Sequence, residues 1–139
     1  MTAIPFFTLA AYLGTDYCIF AGPPFILRIG AASAPLSKLY RQHECNCAAF
    51  VTACNPYSQQ VGASVNAARQ TRLRDELQQC GLIFFDGEGK HPDGNWPAEP
   101  SFLVLGLALE EAKDLGRRYE QNAIVWCGAD AVAELVVLR

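Results

Sequence analysis

Two hydrophobic periods alternate along this chain, and their order constrains the fold more than any other feature. Short apolar runs rich in β-branched and aromatic residues, the mark of strands, are interrupted by segments whose apolar residues recur every third or fourth position, the mark of helices facing a core. Asp16 to Phe20 and Phe25 to Ile29 flank Ala21-Gly22-Pro23-Pro24 and predict a hairpin. Cys47 to Cys54, Leu82 to Phe85, Ser101 to Leu107, Ala123 to Cys127 and Val132 to Leu138 predict further strands, the last two joined around Gly128-Ala129-Asp130. Helices are expected from Ser33 to about Gln42, with Ser33 as N-cap and Leu36, Leu39 and Tyr40 as the buried stripe; from Ser58 to Cys80, with Gly62 dividing off a first turn; and from Ala108 to Tyr119. Thr8 to Leu13 reads as one helical turn or two. Strands arriving singly and in hairpins among three helices predict an α+β (mixed α/β) fold. It is expected to form a single compact domain over residues 1–139, with a mixed, largely antiparallel sheet and about three helices packed on it. Strand order is not readable at this level.

Composition narrows the function classes. Of 139 residues, 51% are hydrophobic and 18% charged, which suffices for one core and excludes disorder for most of the chain. A net charge of −3 supplies no broad basic field, so no nucleic-acid surface is expected. No apolar window approaches the roughly 18 residues of a membrane helix. The stretch from Met1 to Tyr12 has no basic leader, so a soluble, cytoplasmic protein without a membrane partner is expected; a protein partner is left open. Most of the six cysteines sit in apolar runs, as free thiols in a reducing compartment do. His43, Cys45 and Cys47 alternate as potential ligands that would share one strand face, but there is no C-x2-C turn and no second pair at finger-like spacing. No metal and no other cofactor is assigned. Gly87-Glu88-Gly89-Lys90 lacks the spacing and terminal hydroxyl of a phosphate loop.

The informative residues are polar ones on apolar faces. The stripe Leu73, Leu77, Cys80 of the long helix, continued toward its N-terminus, lands on Arg69 and Asn66, within an arc of roughly 80°. Burial of either group requires a partner. Thr52 interrupts a buried strand, Asn55 ends it, and Gln121-Asn122 precede another strand. Glu99 is held between Ala98 and Pro100 on a stiff segment, where it can pair with Arg69 or serve as an acid or base. The stretch 86–100, rich in Gly and Pro, is expected to be a long ordered loop forming one wall of a site.

These residues fall into a pattern: Tyr12, Thr15-Asp16-Tyr17, Leu27-Arg28-Ile29, Phe50-Val51-Thr52-Ala53-Cys54-Asn55-Pro56, Asn66 with Arg69, Trp96-Pro97-Ala98-Glu99-Pro100-Ser101, and Gln121-Asn122-Ala123 before Val125-Trp126. The chain resembles the bacterial family catalogued as domain of unknown function 3293 from about Tyr12 to its last strand. Cys54 stands where an aromatic residue is more usual. The resemblance implies a small intracellular bacterial protein and supplies neither a reaction nor a cofactor, but it groups Thr52, Asn55, Asn66, Glu99, Gln121 and Asn122 into one site. Three functions follow. The first is a binding module whose amides read a small polar or anionic ligand while Arg69 clamps an anionic or carbonyl group. The second is a hydrolase or transferase with Glu99 as general base and Thr52 or Ser101 positioning substrate. The third is a structural or partner-binding protein whose polar residues form a buried network.

Overall fold

The computed structural model describes residues 4–94 and 96–139. Helix α1 (Phe6–Leu13) is followed by strands β1 (Asp16–Ile19) and β2 (Phe25–Leu27), helix α2 (Ala34–His43) and strand β3 (Ala48–Val51). A 3-10 turn (Pro56–Ser58) leads into helix α3 (Ala63–Gln79), then β4 (Phe84–Lys90), β5 (Glu99–Leu105), α4 (Leu109–Arg118), β6 (Ala123–Cys127) and β7 (Ala133–Val137). The seven strands form one sheet in the order β2-β1-β4-β5-β3-β6-β7, every neighbouring pair antiparallel. The class is therefore α+β with an antiparallel sheet, and the helices number four among the described residues rather than about three. The additional one is α1, which runs Phe6–Leu13 where the sequence suggests only a turn or two.

Local chemistry accounts for the helices. Ser33 Oγ accepts the Leu36 N–H at 3.1 Å and Pro35 occupies the first turn of α2, whose Leu36, Leu39 and Tyr40 are buried. In α4, Glu110 and Glu111 sit at the positive end and Arg117 and Arg118 at the negative end, while Ala112, Leu115 and Gly116 face the sheet. α3 buries Leu73 and Leu77, but Cys80 at its C-cap is exposed and leaves the stripe expected of it.

The stretch 86–100 is not one loop. Residues 86–90 belong to β4 and Glu99 opens β5, so the connection shrinks to 91–98, within which Asn95 lies outside the described residues. Glycine misleads here for a packing reason. A Cβ on Gly87 would stand 2.4 Å from the Cys18 carbonyl oxygen and 3.1 Å from the Phe50 ring, so this glycine of β4 is there because its neighbours approach closely. The His43, Cys45, Cys47 alternation is likewise not on a strand: His43 ends α2 and β3 begins only at Ala48. No group of three or more metal-ligating side chains occurs among the described residues.

The sheet is curled. Beyond β2, at one edge, Ile29 bridges Ala133 in β7 at the other edge, and Ala32 bridges Val132. Six strand spacings of about 4.8 Å would separate the edges of a flat sheet by about 29 Å. The two residues from Leu27 to Ile29 reach only about 7 Å. The edges meet because the sheet rolls up, so its two faces become an inside and an outside. The outside, with Ala49, Val51, Phe102, Val104 and Ile124, packs against Leu73 and Leu77 of α3 and Ala112 and Leu115 of α4. The inside holds Tyr17, Ile19, Phe50, Leu103, Leu105 and Val125, and one end is plugged by Leu36, Leu39 and Tyr40 of α2. The other end is hollow.

Candidate functional site

The hollow follows from strand register. In an antiparallel sheet directly paired residues share a face. Tyr17 pairs with Gly89 and Gly89 with Glu99, so an inward row runs Tyr17, Gly89, Glu99 with no side chain at its centre. The missing side chain leaves space that α1 roofs with Phe7, Thr8, Ala11 and Tyr12, giving a cavity of about 550 Å³. Its floor is Phe50, Val125 and Leu135, and its rim carries Tyr57, Ser58, His91 and Trp96. Volumes of this size, at the mouth of a curled sheet, suit small organic molecules.

Five of the residues expected at a site line this cavity: Thr52, Asn55, Glu99, Gln121 and Asn122. Asn66 and Arg69 are not in its wall. Asn66 stands directly behind Asn55. The backbone N–H of Asn55 can only donate, so Asn66 presents Oδ1 to it (2.8 Å), and Asn66 Nδ2 then donates to Asn55 Oδ1 (2.9 Å). The Asn55 amide is thereby oriented with Nδ2 toward Glu99 Oε2, at 2.7 Å. A run of amides with fixed polarity thus leads from a main-chain donor to a carboxylate. Glu99 Oε2 also accepts from Trp96 Nε1 at 3.3 Å. Glu99 Oε1 makes no hydrogen bond among the described residues and is not sealed from solvent; the sealed orphan atom among them is Gln70 Nε2.

Arg69 corrects two expectations. It neither pairs with Glu99 nor clamps anything in the cavity. Its Nε and Nη2 donate to the carbonyls of Ala53 and Tyr119, both at 2.6 Å, and Nη1 meets Glu120 at 3.3 Å. It ties the exit of β3 to the exit of α4, where strand and helix ends leave carbonyls unsatisfied. Gln121 reinforces the same tie, with Nε2 donating to the Cys54 and Tyr119 carbonyls, both at 3.1 Å. Thr52 Oγ1 donates to the Pro100 carbonyl at 2.7 Å and accepts the Cys54 N–H at 3.0 Å, pinning β3 to β5.

Backbone strain gathers here. Asn55, Tyr57 and Ser58 all have positive φ, at 49°, 53° and 59°, and Tyr57 N–H is held by the carbonyl of Glu120, itself at 60°. Three of the six non-glycine residues with positive φ among the described residues therefore line the cavity, and a fourth, Glu120, holds one of them. Such conformations cost about 1–3 kcal/mol each and persist where the surroundings over-determine them. Ser58 and Tyr12 join the site without having been expected there, whereas His91 and Asp93 lie in the 86–100 stretch expected to form a wall. Tyr12 Oη and Ser58 Oγ share a short hydrogen bond, and Asn122 Nδ2 donates to both at 3.1 Å. Tyr12 stands in the sequence pattern of the family resemblance but with no polar role assigned, because its partners lie 46 and 110 residues away. His91 Nδ1 lies 2.6 Å from Asp93 Oδ1.

The electrostatics are one-sided. Burial raises the Glu99 carboxyl above its ordinary range, against the hydrogen bonds from Asn55 and Trp96, which lower it. Burial likewise raises the Tyr17 phenol, with Tyr12 and Glu99 adding to the effect. No lysine or arginine lines the cavity among the described residues, and its carboxylates are Glu99 and Asp93.

Fold and hollow together define the class: an α+β domain whose antiparallel sheet curls around a core plugged at one end and open at the other. Residues 51–124 match the family described as protein of unknown function (DUF3293), and the chain belongs to that family. The match runs from the end of β3 into β6 and contains all seven expected site residues. No curated protein and no solved structure matches the chain.

Proposed function

We propose that this protein is a small cytoplasmic bacterial binding module that takes a small polar molecule into the cavity beneath α1. The carrying observation is the cavity itself, about 550 Å³, with Glu99 oriented toward it through the Asn66–Asn55 amide run and Trp96. A hydrogen-bonding chain that serves only to fix the fold has no need of an open hollow beside it. The anionic half of the expected ligand class finds no support, because Arg69 is committed to two carbonyls and Glu120. A cytoplasmic setting suits six unpaired thiols, and no helix among the described residues is long and apolar enough to cross a membrane.

A second reading, a hydrolase or transferase with Glu99 as general base, draws on the raised Glu99 carboxyl, since bases working near neutrality are shifted in that direction. Amides bind well and transfer protons poorly, so a wall with three amides, Asn55, Gln121 and Asn122, beside one carboxylate favours binding.

The test is a thermal-shift screen of metabolites on the wild type and on Gly89→Leu. A Cβ at Gly89 meets only Thr15 Cγ2 at 3.7 Å and Tyr17 Cδ1 at 4.0 Å, so the leucine enters the cavity without a main-chain clash. A ligand at a hundred times its Kd stabilises by about 2.7 kcal/mol, several degrees in Tm. Compounds that protect the wild type and not the folded Gly89→Leu variant support the cavity as the binding site. Equal protection of both sinks it.

A further inference from the structure

The wall chemistry narrows the ligand further, on the reading that the cavity binds a small molecule. We propose that the ligand is an organic amine, its ammonium held by Glu99 Oε1 and its apolar body packed on the aromatic wall. Three independent features converge on this class. Glu99 spends one oxygen on Asn55 and Trp96, so the other is an acceptor without a donor among the described residues. An ammonium brings donors and no acceptor, and a charge-assisted bond to a carboxylate is about twice as strong as a neutral one. The wall supplies Tyr12, Tyr17, Phe50, Tyr57 and Trp96, whose ring faces attract cations as well as apolar groups. Tyr57 already carries a guanidinium, that of Arg139, 4.0 Å from its ring centroid.

The charges nearby agree in sign. Asp93 is engaged with His91, which leaves Glu99 as the carboxylate that a ligand must answer. Arg139 reaches two wall residues from outside and is spent on them, over the Tyr57 ring and on Asn122 Oδ1 at 3.1 Å. Burial disfavours an ionised Glu99, and an ammonium beside it would act in the opposite sense. An anion would meet Glu99 with no lysine or arginine in the wall among the described residues, whose histidine, His91, is already paired with Asp93.

The two tryptophans make the test local. Trp96 Nε1 donates to Glu99, whereas Trp126 Nε1 donates to the Leu107 carbonyl at 2.9 Å and is not in the cavity wall. Titrate 15N-labelled protein with 2-phenylethylamine, 2-phenylethanol and phenylacetate, which share a ring and differ in the polar end, and follow both indole N–H resonances. The expected result is movement of the Trp96 resonance but not of Trp126, with the amine binding about tenfold or more tighter than the alcohol and the acid weakest. Glu99→Gln, which keeps an oxygen for Asn55 and removes the charge, should abolish the preference for amine over alcohol while the Trp126 resonance reports an intact fold. Alcohol or acid binding as tightly as the amine overturns the inference and leaves the cavity reading standing. No movement of Trp96 with any of the three overturns both.

Discussion

Asn66→Ala tests whether the amide run positions Glu99 or merely decorates it. The substitution removes two hydrogen bonds, from Asn55 N–H at 2.8 Å and to Asn55 Oδ1 at 2.9 Å. They are not equivalent. Asn55 is buried, so its N–H is left without a partner, at a cost of about 1–3 kcal/mol. Asn55 Oδ1 keeps the Val61 N–H at 3.2 Å, so the second loss is the ordinary net value of about 1 kcal/mol. Alanine recovers roughly half a kcal/mol of helix propensity inside α3. The balance is a destabilisation of about 2–3 kcal/mol, worth roughly 6–12 °C in Tm for a chain of this length. Urea unfolding should show the midpoint falling with an unchanged m-value, and a double-mutant cycle with Asn55→Ala should return a coupling of about 1 kcal/mol or more. Asn66→Asp sharpens the point. It keeps an oxygen for the main-chain N–H but turns a second oxygen toward Asn55 Oδ1, so it should be poorly tolerated near neutrality and regain stability on acidification, when a protonated carboxyl can donate. A Tm for Asn66→Ala within about 2 °C of wild type, or purely additive effects in the cycle, would refute the reasoning.

Glu99→Gln should change how stability varies with pH. Because burial raises the Glu99 carboxyl above its ordinary value of 4.5, the folded state prefers the neutral form; the penalty is absent below that value and grows as pH rises through the folded pKa. The Tm of Glu99→Gln relative to wild type should therefore rise between about pH 4.5 and pH 8, and a difference that shrinks over that range contradicts the assignment. Gly87→Ala should cost about 1–3 kcal/mol or more in chemical denaturation, because its Cβ would lie 2.4 Å from the Cys18 carbonyl oxygen, a main-chain atom that cannot swing away. Tyr12→Phe should leave the global Tm within about 3 °C but speed amide exchange across α1, since that helix has no buried residue and Tyr12 is its tie to Ser58 and Asn122.

The elements that were legible beforehand are those whose signal is local. Ser33 three residues before Leu36 announces a cap, and the α4 stripe and end charges lie within a few turns of one another. What was not legible depends on partners far along the chain. Gly87 of β4 looks like a loop residue until Cys18 and Phe50 are placed against it. Arg69 and Asn66 share a helix face and were expected to share a role, yet one serves carbonyls at the ends of β3 and α4 while the other orients Asn55. Periodicity reports that a polar side chain lies on a buried face; it carries no information about which donor or acceptor will be waiting there. The curling of the sheet is equally hidden, since it rests on Ile29 meeting Ala133, 104 residues away.

The cavity has a stiff floor and a lightly held roof, and the two follow from different chemistry. The floor is β-sheet paired on both sides of β1, β4, β5, β3 and β6, and the strained turn at Asn55, Tyr57 and Ser58 is held from outside by Asn66 and Glu120. Groups fixed in this way lose little further freedom when a ligand arrives, which is how a few hydrogen bonds can yield useful affinity. The roof is α1, eight residues with Phe6 and Phe7 largely exposed and none buried, joined to the rest through Tyr12 and through Tyr17 Oη, which donates to the Tyr12 carbonyl at 2.7 Å. Breaking those polar ties costs less than separating a pair of strands, so on the proposed binding reading α1, and not the sheet, is the part expected to yield to a ligand. On that reading the floor governs affinity and the roof the exchange rate, so substitutions at Tyr12 should alter association and dissociation rates together while changes at Glu99 or Asn55 alter their ratio.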